Sequence, residues 1–120
     1  MASFSECGSL AETAALVTGG DSALGLACAR RLAADGAVVT ICGTAEQCLK
    51  ESAGAYGLRY AIADVTEEEE VADALAAAAA IGPLRIVIAS ARGSASIGPV
   101  ARLNTAGWRA TLDLNATGPC

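Results

Sequence analysis

Short apolar runs alternate with amphipathic stretches along almost the whole chain. The first run, residues 13–18 around Ala14-Ala15-Leu16-Val17, reads as a strand. It breaks at Gly19-Gly20, and a helical period takes over. Leu24, Cys28 and Leu32 recur at i, i+4 and i+8, which predicts a helix over 23–35 that Gly36 closes. Residues 37–42 form a second apolar run with one Thr, a second strand. Thr44-Ala45-Glu46-Gln47 fits a capping box that opens a second helix, and residues 58–63 read as the third strand. Thr66-Glu67-Glu68-Glu69 is a second capping box, followed by an alanine-rich helix that Gly82-Pro83 stops. Residues 84–89 give the fourth strand. A loop marked by Gly93, Ser94, Ser96, Gly98 and Pro99 follows, then a last helix from near Thr105 carrying Trp108, Leu112 and Asn115.

Four strands in strict alternation with helices predict an α/β fold. Right-handed crossovers place helices on both faces of a parallel sheet. No linker composition interrupts the pattern, so residues 1–120 read as one domain, with a flexible leader to about residue 12. The chain is 53% hydrophobic but only 3% aromatic, so small aliphatic side chains build the core and helices approach the sheet closely.

Charge and cysteine usage narrow the chemistry. A net charge of −5 argues against nucleic acid or an anionic membrane as partner. Glu67 to Glu70 supply much of that charge and read as a solvated first helical turn. The absence of histidine removes His triads, His bases and His metal sites. Five cysteines, with no CxxC pair and no ligand spacing, imply no metal site; Cys28 and Cys42 lie in apolar patterns and read as small core residues. The odd cysteine count, with a polar, acidic N-terminus unlike an export signal, fits a reducing cytoplasm. No apolar run approaches the roughly 20 residues of a membrane span.

The first strand–turn–helix junction carries the most specific chemistry. A helix N-terminus behind a glycine turn presents free backbone N–H groups and a positive dipole end, which suits a pyrophosphate. Thr18-Gly19, then Ala23-Leu24-Gly25 after a three-residue gap, resembles the TGxxxGxG motif of the short-chain dehydrogenase/reductase family, with Ala23 in place of the middle glycine. The resemblance runs from about residue 10 to the end. Asp64-Val65-Thr66 matches the family's strand-end acid that bonds adenine. Ser90-Ala91-Arg92 stands where the family has NNAG, with only Ala91 matching. Trp108 to Asn115 resembles the segment ending in the family's catalytic asparagine, which holds a water in a proton relay and would here be Asn115.

The resemblance implies a Rossmann-like sheet in order 3-2-1-4, a dinucleotide cofactor and an oxidoreductase activity. It assigns cofactor contacts to Thr18, Gly19, Asp21, Ser22, Ala23, Leu24, Gly25, Thr44, Asp64, Val65, Ser90 and Ala91. NAD-preferring members carry an acid at the end of the second strand; here Gly43 stands there, with Thr44 where many NADP users have Arg. NADP therefore takes a slight lead over NAD, with Asp21 beside the loop weighing against extra negative charge.

Chemistry in the family also needs a Tyr with a Lys four residues later, and a Ser. Lys50 is the only lysine and Glu46 precedes it by four; Tyr56 and Tyr60 fit no such pair. The expectation is a cofactor-binding portion, truncated after Asn115, that lacks the Ser/Tyr/Lys set. A non-catalytic dinucleotide-binding or association module and an inactive remnant stand as alternatives. A methyltransferase is weaker, because its acid belongs after the second strand, at Gly43. In order 3-2-1-4 the fourth strand is a bare edge, so association with a second copy or a missing C-terminal half through that edge and the last helix is expected.

Overall fold

The computed structural model describes residues 10–91, 98–102 and 104–117. Strands β1 (Ala14–Thr18), β2 (Val38–Gly43), β3 (Arg59–Ile62) and β4 (Leu84–Ala89) alternate with helices α1 (Ala23–Ala34), α2 (Glu46–Tyr56) and α3 (Glu68–Ala79). A 3-10 turn (Val100–Arg102), helix α4 (Thr105–Leu112) and a π-helical turn (Asp113–Thr117) follow. All strand pairs are parallel, as the alternating pattern predicts, and their order is β3-β2-β1-β4, the order that the resemblance implies. The observed element ends lie within about two residues of those read from periodicity.

Side-chain alternation along the strands divides the core into two layers. Ala15, Val17, Val39 and Ile41 face α1 and α2, where Ala29, Leu49 and Ala53 meet them; Ile86 and Ile88 of β4 join from the edge. Leu16 and Cys42 face the other way, onto Ala74 and Ala78 of α3. Each of the three helices meets the sheet through alanine, with Leu49 the one larger buried side chain among them, so helix backbones sit close to the sheet and no aromatic ring is needed.

Several local expectations are corrected. The buried stripe of α1 is Gly25 and Ala29, one position from the expected Leu24, Cys28 and Leu32. Leu24 is half exposed, and Cys28 is only partly covered. Neither predicted capping box forms. The cap residue of α2 is Ala45 and that of α3 is Glu67, and neither makes a side-chain cap bond. Thr66 donates its hydroxyl to Asp64 Oδ1 at 2.6 Å, while Glu70 reaches back to accept the Asp64 N–H. Local Asx geometry has displaced the cap.

The leader expected to reach residue 12 is anchored at Leu10, whose N–H donates to Asp35 C=O at 2.7 Å and whose side chain packs against the core. Residues 1–9, and with them Cys7, lie outside the described residues, as do Arg92 and Cys120. No described helix is long and apolar enough to cross a membrane.

The carboxyl ends of β1, β2 and β3 and the segment after β4 converge on one edge. Between β1 and β4 the strand order reverses, and a crevice opens there, the place where open α/β sheets hold ligands.

Candidate functional site

A cleft of about 140 Å³ lies at that edge. Gly19, Asp21 and Ser22 line it from the β1–α1 turn, Gly43 and Thr44 from the end of β2, and Ala63, Asp64 and Val65 from the end of β3. Ala91 closes it after β4, and Leu114 reaches it from the π-helical turn. Among the described residues that line it, none is cationic.

The glycine turn is shaped by packing against the β4 end. Gly19 has φ +68°, and a Cβ there would lie 2.7 Å from the Ala91 N and 2.8 Å from the Ser90 carbonyl. A Cβ on Gly25 would collide with the Gly19 carbonyl oxygen, so α1 begins as close to the turn as two backbones permit. Ser22 is the N-cap: its hydroxyl accepts from Gly25 N–H at 3.2 Å and donates to Gly19 C=O at 2.7 Å. The first-turn N–H groups of Ala23 and Leu24 have no intrahelical carbonyl to reach. They are what this turn offers to an anion.

Ala23, the substituted glycine, is the first residue of α1 and does not have positive φ. The methyl is exposed and carries no backbone strain; it does not line the cleft.

Asp21 reaches across the turn. Its Oδ2 accepts from the N–H of Ala45, the cap residue of α2, at 3.2 Å. Its carboxylate lies against Gly43, so close that a Cβ on Gly43 would stand 2.7 Å from Asp21 Cγ. Asp64 sits at the opposite wall. Its Oδ1 accepts from Thr66 N–H at 2.9 Å and from the Thr66 hydroxyl, and these bonds hold its carboxyl below the ordinary carboxylate pKa. Oδ2 has no partner among the described residues.

The other candidates do not line the cleft. Ser90 donates its hydroxyl to Thr18 C=O at 2.5 Å, and its N–H donates to Thr18 Oγ1 at 3.1 Å. Thr18 Oγ1 in turn donates to Ile88 C=O at 3.3 Å. Thr18 and Ser90 thus brace β1 to β4 behind the cleft. Leu24 and Gly25 lie in the first turn of α1, off the cleft wall. Asn115 lies in the exposed π-helical turn, and its Nδ2 donates to Thr111 C=O at 2.9 Å. Its neighbour Leu114 lines the cleft. Tyr56 stacks under Arg30, with 4.2 Å from Cζ to ring centroid, and Tyr60 is on β3; neither lines the cleft. The sequence motifs do not mark Gly43, Ala63 and Leu114 as lining residues: Gly43 stands out only as an absent acid, and an apolar Ala or Leu gives no sequence signal of its own. Among the described residues no group of His, Cys, Asp or Glu could hold a metal ion.

The sheet order, the glycine turn and the strand-end cleft define a Rossmann-like α/β protein. The family model of the short chain dehydrogenase matches residues 13–120, and the chain belongs to that family. It is 37% identical over 115 residues to a cis-4-hydroxycyclohexanecarboxylate dehydrogenase from Sinomonas cyclohexanicum, covering 90% of this chain and 45% of that protein. A short-chain type dehydrogenase/reductase from Mycobacterium ulcerans superposes with a TM-score of 0.86 at 36% identity, over 92% of this chain and 43% of that one. A short chain dehydrogenase from Burkholderia cenocepacia, solved in complex with NADP, superposes with a TM-score of 0.78 at 33% identity over 91% of this chain and 47% of its own. The chain thus spans less than half the length of these relatives.

Proposed function

We propose that this chain is the cofactor-holding part of an NAD(P)-dependent oxidoreductase and takes a nicotinamide dinucleotide, adenosine end first, into the strand-end cleft. One observation carries the reading: Gly19, Asp21, Ser22, Thr44, Asp64, Val65 and Ala91, which the resemblance assigns to the cofactor from separate sequence motifs, line a single cleft. The residues fit the group. Gly19 and Gly25 leave room only for backbone, and the free N–H groups at the α1 N-terminus suit the pyrophosphate. Asp64 Oδ2 and the Val65 backbone stand at the wall where an adenine amino group needs an acceptor. When bound, the dinucleotide supplies the hydride chemistry.

The chain's own residues hold the cofactor without a proton donor for a substrate. No Tyr with a Lys four residues later occurs in the sequence, and both tyrosines lie off the cleft. Hydride transfer therefore requires residues supplied from elsewhere. We place them in a partner or a further segment that meets the exposed edge of β4 and helix α4. A second copy of the chain meeting that edge gives a homo-oligomer. The free thiols of Cys28, Cys42 and Cys48 suit a reducing cytoplasm.

Fluorescence titration of the full chain with NADH and NADPH tests the reading. Saturable uptake, a rise in melting temperature with cofactor and no turnover of carbonyl substrates are expected. No binding of either dinucleotide at millimolar concentration would leave only the inert remnant.

A further inference from the structure

We infer that Asp21 is the cofactor-specificity residue of this chain, replacing in space an acid that the end of β2 lacks, and that it selects NAD over NADP. The inference deepens the proposed cofactor site and rests on it.

Dinucleotide-binding α/β folds recognise the adenosine ribose with an acid about 20 residues beyond the glycine turn. That position falls at the end of β2, and Gly43 occupies it. The gap left by the missing side chain is filled. An ideal Cβ on Gly43 would lie 2.7 Å from Asp21 Oδ2 and 2.8 Å from Asp21 Oδ1. The Asp21 carboxylate therefore occupies the volume that a side chain on residue 43 would enter. Glycine at 43 and aspartate at 21 are a matched pair: any larger residue at 43 would expel the carboxylate.

The bonding of the carboxylate fits the role. Oδ2 is held by the Ala45 N–H, which fixes the group in the cleft wall beside Thr44. Oδ1 has no partner among the described residues and is free to accept a ribose hydroxyl. A 2′-phosphate would meet this carboxylate at close range, with no cation among the described lining residues to offset it. Opposed like charges a few ångströms apart cost at least about tenfold in affinity. The slight lead that sequence comparison gives NADP rested on the empty acid position at Gly43, and Asp21 fills that position.

The test is calorimetric titration of the full chain with NADH and NADPH, at low and at raised salt. NADH is expected to bind at least about tenfold more tightly, with the gap narrowing as salt screens the carboxylate. Asp21→Asn keeps an oxygen for the Ala45 N–H and is expected to bring the two affinities close together by improving NADPH. Circular dichroism reports whether that variant folds; if it does not, the wild-type ratio and its salt dependence decide alone. Equal affinities, or tighter NADPH, overturn the role of Asp21 and leave the cofactor site standing. Binding of neither dinucleotide overturns both.

Discussion

Thr40 is the clearest residue-scale misfit. It lies in β2, buried among apolar side chains, and its hydroxyl has no hydrogen-bond partner among the described residues. An unmet buried hydroxyl costs about 1–3 kcal/mol. Thr40→Val keeps the β-branched shape and removes the group, so it is expected to stabilise the chain by about 1 kcal/mol in urea denaturation; a loss of stability would show that the hydroxyl has a partner in solution. Cys42 lies on the same side of the sheet. Burial, with the nearby Asp21 charge, pushes its thiol up to about 11. At pH 8 the native chain is expected to alkylate at the exposed Cys48 and not at Cys42, as peptide mass mapping would read. Asp64 gives a pH dependence. Its folded pKa is lowered by its bonds to Thr66, so its stabilising contribution is present above the ordinary carboxylate value near 3.9 and fades as pH falls through the lower folded value. The stability gap between wild type and Asp64→Asn should be flat from pH 7 to 5 and close only in stronger acid. A gap that widens in acid would reverse the sign.

At the scale of elements, the sequence told the type and order of every strand and of helices α1 to α4, because the switch from apolar runs to helical spacing is a property of neighbouring residues. It misplaced what depends on distant ones. Thr44 and Thr66 both sit in good capping-box patterns, yet the Ala45 N–H at the start of α2 goes to Asp21, 24 residues away, and Thr66 is claimed by Asp64. Helical spacing marks the α1 stripe by its largest side chains, Leu24, Cys28 and Leu32. Close sheet packing instead buries the smallest, Gly25 and Ala29. For the same reason the cleft was legible as a set of motifs, while the pairing of Asp21 with Gly43 was not: it exists only once two loops meet. Helix α3 offers a test of the capping account. Glu67 already has extended cap geometry, φ −107° and ψ 106°, but makes no cap bond. Glu67→Ser supplies a short acceptor and is expected to add about 1 kcal/mol, a few degrees in melting temperature. No change would mean that Glu70 and the helix dipole already satisfy that terminus.

The whole molecule is asymmetric in how its sheet is covered. On one face α1 and α2 span the sheet; on the other α3 covers the strands up to β1, and Val87 of β4 is left 52% exposed. Among the described residues β4 is hydrogen-bonded to β1 alone, so its other edge presents open backbone groups there. Helix α4 does not close this gap: Trp108 is 53% exposed and Leu112 is 45% exposed, and the only buried residue of α4 is Gly107. An uncovered apolar strand edge and an uncovered apolar helix are each unfavourable in water, and pairing relieves them. Sedimentation equilibrium should therefore show a mass that rises with protein concentration, with a melting temperature that rises in step because association stabilises the folded state. Val87→Lys places a solvated charge on this surface and should shift the equilibrium toward monomer while leaving cofactor affinity unchanged, since Val87 lies off the cleft wall. A clean monomer at all concentrations, melting cooperatively at high temperature, would count against association and would mean that α4 shelters β4 more closely in solution than in this arrangement.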